Sequence, residues 1–168
     1  MGLTLYSLKI PSPTGELIAY STEKGICYLC FIDNINLVNQ ISKIRNKYIA
    51  TISQKSNEHL EQLQFELNEY FQKKRKFFAV KLDIFGTGFQ KKAWKELQNI
   101  QHGKTISYKQ QAASINHPKA IRAIASANRC NNIPIIIPCH RVIGENGDLK
   151  GYSGGIERKK WLLDFEAT

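Results

Sequence analysis

The chain contains 168 residues, of which 42% are hydrophobic and 23% are charged. These proportions exclude a disordered or fibrous protein, and the length allows either one domain with a sizeable core or two smaller domains. Lysine and arginine outnumber aspartate and glutamate by 24 to 14, and the resulting net charge of +10 at pH 7 favours a polyanionic partner. Many small basic proteins bind no polyanion, so charge alone leaves the partner open.

The amino-terminal stretch MGLTLYSLKI lacks the basic segment and long apolar run of a signal peptide. No segment approaches the roughly 18 consecutive apolar residues of a membrane span. The cysteines are too few and too irregularly spaced for a disulfide framework; they are Cys27, Cys30, Cys130 and Cys139. We therefore expect a cytoplasmic protein with reduced thiols and no membrane contact.

Residues 1–82 predict a sheet followed by a helix. Short apolar runs over residues 3–32 are separated by the turn formers PSPTG and EKG, which is typical of antiparallel strands joined by hairpins. From Asn57, a candidate cap, apolar residues recur at three- and four-residue steps as far as the basic run KKRK at 73–76, which indicates a helix. The segment FFAVKLDIFGTGF leads out of this unit, and we place a domain boundary near residue 82.

Residues 83–168 predict mainly helices. The first spans roughly 88–99 and has Thr87 as a candidate cap, and the second follows the tripeptide ISY at 106–108. The segment INHP ends the second helix, because a residue before proline disfavours helical angles. The third helix, KAIRAIASAN, begins at Lys119. Two short helices joined by a tight turn in a basic protein fit a helix-turn-helix, although any small helical domain contains such pairs.

The third predicted helix is rich in alanine and carries one long cation, Arg122, near its start. Small side chains let a helix backbone approach a large, smooth surface such as a DNA groove, where a cation can reach the duplex interior. The alternative is that these alanines only pack against a neighbouring helix.

The segment NNIPIIIPCHRVIG places Cys139 after an isoleucine run that we expect to form a strand. Cys139 is either one more buried apolar residue or a nucleophile, and a nucleophilic thiol needs a basic or cationic neighbour such as His140 or Arg141. Adjacent side chains of a strand point to opposite faces, so contact between Cys139 and His140 requires a bend after the proline or a bridging water. A carboxylate near the carboxyl terminus would orient the histidine; the candidates are Glu157, Asp164 and Glu166.

Metal and nucleotide sites are not expected. Cys27 and Cys30 form a C-x-x-C within a predicted strand, but no second pair of ligands stands at zinc-binding spacing. No glycine-rich phosphate loop is present. The sequence therefore implies no cofactor.

The segment IPIIIPCHRVIG resembles the active-site signature of the O6-alkylguanine-DNA alkyltransferases, the methylated-DNA–protein-cysteine methyltransferases. GTGFQKKAWKELQNI resembles the family's G-T-x-F-Q-x-x-x-W-x-x-L helix, and the similarity continues through the cysteine-bearing domain, whereas the N-terminal half resembles the family only loosely. The resemblance implies an α+β fold. Its N-terminal antiparallel sheet with helices would be ribonuclease H-like, and a mainly helical C-terminal domain with a helix-turn-helix, residues 83–168, would bind DNA and accept the alkyl group.

The resemblance also implies an activity, namely direct and irreversible transfer of a methyl or other alkyl group from O6-alkylguanine in DNA to Cys139, in a single turnover; O4-alkylthymine stays open as a second substrate. His140 would deprotonate the thiol through a bridging water, with the Glu166 carboxylate behind it, and Tyr108 would donate a proton or hydrogen bond to N3 of the leaving guanine. The implied partner is double-stranded DNA, bound through its minor groove by a monomer.

Further roles follow only from the resemblance. Arg122 would enter the base stack in place of the rotated nucleotide, and the implied contacts of the same helix with DNA are Ala123, Ser126 and Arg129. The implied pocket and its support consist of Asn131, Val142, Tyr152 and Ser153. Cys130 stands where many members of the family have glycine, so its role does not follow from the resemblance.

Overall fold

The computed structural model describes residues 3–168 and divides into two compact units, one ending at Ile84 and the other spanning Phe85–Thr168. The first unit contains a sheet and two helices, and the second is mainly helical. The predicted α+β fold is therefore confirmed. No helix in the described range is long and apolar enough to span a membrane.

The first unit is built on a four-stranded sheet with the order β3-β2-β1-β4. Its strands are β1 (Leu3–Ile10), β2 (Leu17–Thr22), β3 (Gly25–Phe31) and β4 (Ala50–Ser53). Strands β1 to β3 pair antiparallel, as predicted, but β4 pairs parallel to β1, so the sheet is mixed. A parallel neighbour needs a crossover connection, and the four residues of β4 are too short a run to be recognised from sequence.

The helices of this unit are α1 (Leu37–Tyr48), which the sequence analysis did not predict, and α2 (Glu58–Phe71). The cap predicted at Asn57 is present, because its side chain accepts a hydrogen bond from the Leu60 backbone N–H at 3.1 Å. Helix α2 packs against β1, β2 and β3, and it buries Leu60, Leu63, Leu67 and Tyr70 completely. The apolar residues of the strands and the apolar stripe of α2 are thus buried together in one core.

The second unit begins with α3 (Gly88–Leu97), α4 (Tyr108–Ser114) and α5 (Ile121–Arg129), which pack on one another around small apolar residues. Its remaining elements are β5 (Ile106–Ser107), a 3₁₀ turn (Cys139–Arg141), β6 (Val142–Ile143) and α6 (Ile156–Ala167), with β5 and β6 pairing parallel. The core of the three packed helices is formed by Ala93, Ala112, Ile115, Ile124 and Ala127. Small residues there let α3, α4 and α5 approach closely.

Helices α4 and α5 form the predicted helix-turn-helix. Asn116 adopts the left-handed region with φ 62°, and the His117 N–H donates to the Ala112 carbonyl at 2.9 Å, which is the Schellman pattern of a helix end. The turn continues to Ala120, whose N–H donates to the His117 carbonyl at 2.8 Å. Helix α5 therefore begins at Ile121, two residues after the predicted start.

The strand expected for the isoleucine run before Cys139 is wrong. Residues 133–137 form turns, with Ile135 in the left-handed region at φ 72° and the Ile137 N–H donating to the Ile133 carbonyl at 2.9 Å. Prolines at 134 and 138 have no N–H for a strand ladder, which explains why the apolar run does not join a sheet. The run is nevertheless buried, so it anchors the thiol as a packed loop.

Candidate active site

Cys139 opens the 3₁₀ turn that follows the isoleucine loop, and its side chain is 3% exposed. Asn131 holds this loop from inside: its Nδ2 donates to the Ile137 carbonyl at 2.7 Å, and its Oδ1 accepts from the Ile133 N–H at 3.0 Å. A single buried amide thus joins both ends of the loop. The bend required after Pro138 is provided by the 3₁₀ turn rather than by a strand.

A buried carboxylate, Glu166, lies behind His140. His140 Nε2 is 2.9 Å from Glu166 Oε1, and Arg141 donates from Nε to Oε2 at 2.8 Å and from Nη2 to Oε1 at 2.9 Å. Arg141 Nη1 donates to the Ile100 carbonyl at 2.6 Å. Arg141 is therefore committed to Glu166 and the backbone, so the sequence hypothesis that it activates the thiol is wrong.

The structure selects one of the three carboxylates that the sequence offered. Glu166 is buried on α6, whereas Glu157 and Asp164 are exposed on the same helix. Burial raises the pKa of Glu166, but hydrogen bonds from His140 and Arg141 lower it more, and the net result lies well below the usual range of a carboxyl. Glu166 is thus an anion at neutral pH.

The protonation of His140 follows from its two nitrogens. Burial lowers the pKa of His140, with the hydrogen bond to Glu166 opposing this shift, so the ring is neutral at pH 7. Nε2 faces an acceptor-only carboxylate and must carry the proton, which leaves Nδ1 as a bare acceptor. Within the described part of the chain, Nδ1 is buried and has no hydrogen-bond partner.

The thiol itself is protonated at rest. Burial raises the pKa of Cys139 to about 11, although a hydrogen bond with Asn131 and the charge of Lys159 lower it. Reaction of Cys139 as a nucleophile therefore needs a base that removes the proton during the reaction. His140, the next residue in the chain, has a buried and unpartnered Nδ1 that can accept such a proton.

Lys159 is a site residue that the sequence analysis missed. It is 1% exposed, and its Nζ donates to the Val142 carbonyl at 2.6 Å, to the Lys150 carbonyl at 2.7 Å and to Tyr108 Oη at 3.3 Å. Burial lowers its pKa to about 8. Its spacing of seven residues from Glu166 puts both on the buried face of α6, a helical signal that was available in the sequence.

Tyr108 begins α4, and its Oη donates to the Lys150 carbonyl at 2.7 Å. Burial raises its pKa, so the hydroxyl keeps its proton. The loop 144–155 passes over it with Gly151 at φ +70°, where an added Cβ would lie 3.2 Å from Tyr108 Oη. Of the predicted pocket residues, Val142 and Tyr152 are buried beside this cluster and Ser153 is exposed on the loop.

The predicted nucleic-acid contacts share the outer face of α5. Arg122, Ala123, Ser126 and Arg129 are exposed, while the opposite face is buried. A buried amide pair that sequence reasoning missed joins α5 to α4: Asn128 Nδ2 donates to Gln111 Oε1 at 2.7 Å, and Gln111 Nε2 donates to Asn128 Oδ1 at 3.1 Å. This pair of hydrogen bonds thus fixes α5, with its exposed face, against α4, the helix that begins with Tyr108.

The stretch of sequence that contains this helix is basic. Between Glu96 and Glu145 the chain contains no aspartate or glutamate. The basic residues in this interval are Lys104, Lys109, Lys119, Arg122, Arg129 and Arg141. Such a segment attracts a polyanion, although Lys109 and Arg141 are paired with carboxylates that lie outside it, Glu145 and Glu166.

The described residues contain no group of three or more His, Cys, Asp or Glu side chains that could hold a metal ion. Cys27 and Cys30 are buried in β3, and burial raises the pKa of both thiols, to about 12 and about 11. Cys130 is exposed after α5.

Two family descriptions match consecutive parts of the chain. Residues 88–168 match the DNA binding domain of 6-O-methylguanine DNA methyltransferase, and residues 5–84 match its ribonuclease-like domain. The second match agrees with the predicted ribonuclease H-like character of the N-terminal half.

Curated relatives and solved structures agree with these matches. The chain is 38% identical over 162 residues to the constitutive methylated-DNA–protein-cysteine methyltransferase of Bacillus subtilis, covering 96% of this chain and 94% of that protein. It is similar to the crystal structure of Mycobacterium tuberculosis O6-methylguanine methyltransferase, with a TM-score of 0.82, 35% identity and coverage of 98% and 93%. A structure of Mycobacterium tuberculosis OGT in complex with DNA gives a TM-score of 0.82 at 36% identity, with coverage of 96% and 92%. The chain belongs to the methylated-DNA–protein-cysteine methyltransferase family.

Proposed function

We propose that this protein repairs DNA by transferring a methyl or other alkyl group from O6 of an alkylated guanine to Sγ of Cys139, irreversibly and once per molecule. The observation that carries the proposal is the buried thiol of Cys139 beside the neutral imidazole of His140, whose far nitrogen is held by ionised Glu166. This group lies in the same unit as the exposed, basic face of α5.

The thiolate forms only during the reaction. With a pKa of about 11, the resting Cys139 thiol is almost entirely protonated at pH 7, so it reacts slowly with alkylating agents. In the complex with substrate, a bridging water takes the thiol proton and passes one of its own to His140 Nδ1. Glu166 stabilises the imidazolium that results, because its oxygen accepts from Nε2 at 2.9 Å.

The transfer is a displacement at carbon. The electron pair of Cys139 Sγ forms the new S–C bond, the C–O6 bond breaks, and its pair passes into the guanine, which gains a proton at N3 from Tyr108. Lys159 donates to Tyr108 Oη at 3.3 Å and stabilises the tyrosinate left behind. The product is a thioether on Cys139, a linkage that is stable to hydrolysis. Turnover therefore ends after one transfer.

DNA is the partner that fits the surface, and the minor groove is the approach that we propose. The alkylated base must leave the duplex at a cost of a few kcal/mol. Arg122 is exposed on α5 and long enough to fill the vacated stack, while the small residues Ala123 and Ser126 let the helix approach closely. Arg129 neutralises a backbone phosphate from the same face.

The extruded base would be held by the loop and strand around the thiol. Val142 and Tyr152 line the pocket, Ser153 donates a hydrogen bond to O6, and Asn131 keeps the isoleucine loop in shape. Residues 83–168 would thus carry both DNA binding and alkyl acceptance, with residues 1–82 as a separate domain. We propose that the protein acts as a monomer in the cytoplasm, where thiols stay reduced.

The test is to incubate the protein with duplex DNA that contains O6-methylguanine and to weigh its peptides. A methyl group on the Cys139 peptide is expected, together with guanine restored in the DNA. A Cys139→Ser variant must bind without transfer, whereas Cys130→Ser, which removes an exposed thiol outside the site, must transfer normally. Lesion binding without methyl transfer by the wild-type protein, or a methyl group on another cysteine, contradicts the proposed function.

A further inference from the structure

Two buried polar atoms in the candidate site have no hydrogen-bond partner among the described residues. They are His140 Nδ1 and Tyr152 Oη, on side chains that are 0% and 7% exposed. Leaving a buried donor or acceptor without a partner is costly, and native proteins satisfy nearly all of them with protein groups or ordered water. Two such atoms in one site indicate a place for a small polar molecule.

The two atoms belong to side chains whose rings approach each other edge to face. The rings of His140 and Tyr152 are T-shaped, with centroids 6.4 Å apart and an interplanar angle of 81°. Burial raises the pKa of Tyr152 well above its usual value, and negative charge on Cys139 or Glu166 raises it further, although Arg158 acts in the opposite sense. The Tyr152 hydroxyl therefore stays a proton donor, within the electrostatic reach of Cys139.

We propose that Tyr152 Oη is the third contact of one buried water that also binds His140 Nδ1 and Cys139 Sγ. This inference rests on the proposed function, because that water is the bridge of the proton relay. A buried water typically makes about three hydrogen bonds, and the thiol and imidazole supply only two. Asn131 Nδ2 donates to the Ile137 carbonyl and the same side chain hydrogen-bonds the Cys139 thiol, so the unpartnered hydroxyl of Tyr152 completes the set.

The hydrogen-bond donors and acceptors of the three side chains determine how this water is oriented. Neutral His140 offers only an acceptor at Nδ1, so the water donates to it. The water oxygen then accepts from the Tyr152 hydroxyl and from the Cys139 thiol. During activation the thiol proton moves to the water while the water gives one of its own protons to Nδ1, which leaves a thiolate, an imidazolium and an unchanged water.

Tyr152 is thus a positioning residue. Its hydroxyl keeps its own proton throughout. It holds the water in place, and by donating to the water oxygen it makes the water a stronger hydrogen-bond donor to Nδ1. Its ring lines the base pocket in the proposed function, and only the hydroxyl carries this additional role. The two contributions are separable, because phenylalanine retains the ring.

The experiment compares wild type with Tyr152→Phe and measures alkylation of Cys139 by iodoacetamide from pH 6 to 10, resolved by peptide mass so that other cysteines do not contribute. We expect alkylation at pH 7 to slow by about tenfold, the worth of one hydrogen bond in the relay, and the rising part of the pH profile to be displaced to higher pH by about one unit. Transfer from O6-methylguanine DNA should slow by the same factor. Tyr28→Phe removes a buried hydroxyl in the first unit and should change neither rate.

A double-mutant cycle separates this role from a structural one. In a His140→Phe background the water has lost its acceptor, so adding Tyr152→Phe should slow alkylation no further. An unchanged pH profile for Tyr152→Phe, or equal losses in both backgrounds, overturns the proposal. Iodoacetamide needs no DNA, so failure of the wild-type protein to take a methyl group from DNA would count against the proposed function alone.

Discussion

Replacing Glu166 with glutamine tests how much the fold and the reaction depend on one buried charge. The carboxylate accepts from His140, from Arg141 twice and from the Gly103 N–H at 3.3 Å. Glutamine keeps the shape but removes the charge, and its amide nitrogen presents a donor to other donors. Arg141, only 6% exposed, is then a buried cation without its counter-ion.

The expected loss of stability is large. Breaking a buried ion pair by removing one partner costs about 3–5 kcal/mol. With a urea slope of about 2 kcal/mol per molar, the midpoint of unfolding should fall by about 2 M. Transfer should also slow, because a hydrogen bond to a charged group is worth about 1.5–3 kcal/mol, which corresponds to roughly ten- to one-hundredfold in rate.

Urea unfolding followed by circular dichroism measures the first effect, and quenched single-turnover transfer in the absence of urea measures the second. Glu157→Gln is the matched control, since Glu157 lies exposed on the same helix and the same substitution there should change stability by less than about 1 kcal/mol. A Glu166→Gln protein with the wild-type midpoint and rate would refute the assignment of Glu166 as the anchor of both Arg141 and His140.

The remaining predictions concern the DNA face, the buried lysine and pH. Arg122→Ala should slow repair of duplex DNA more than reaction with free O6-benzylguanine, and equal losses on both would contradict its role in base extrusion. Lys159→Met should cost about 2 kcal/mol in urea unfolding, because the Val142 carbonyl loses the lysine donor and the Lys150 carbonyl keeps only the one from Tyr108, and a wild-type midpoint would count against this. Because the folded protein holds the pKa of Glu166 below its unfolded value of about 4.3, its contribution to stability is present above that pH and is lost as pH falls through the folded value. Acid unfolding should therefore be flatter for Glu166→Gln than for wild type, and parallel curves would exclude this linkage.

The elements that the sequence predicted well have local causes. Helices α2 and α3 begin at the predicted caps, Asn57 and Thr87, where a side chain satisfies a free backbone N–H and an apolar stripe follows. The turn of the helix-turn-helix follows from His117 and Pro118, which end one helix before the next begins. Signals contained within a few residues can be read without knowing the fold.

The failures have non-local causes. The isoleucine loop resembles a strand in composition, but its shape depends on the Asn131 amide and on burial against the rest of the unit. Strand β4 was missed because its partner β1 lies more than forty residues away. A parallel pair is also not joined by a hairpin turn, which is the sequence signal that identifies antiparallel neighbours.

By itself the sequence determined which chemistry was available: a cysteine followed by a histidine, a basic segment free of carboxylates, and a family resemblance that named the reaction. The residue pattern alone left open which groups meet, and only the resemblance placed Glu166 behind His140. The proximity of Glu166 to His140, the capture of Arg141 by the same carboxylate and the burial of Lys159 beside Tyr108 arise only when α6 packs on the 3₁₀ turn. The physical reason is that desolvation and hydrogen bonding set the charge state of each group, and both depend on neighbours that are distant in the chain.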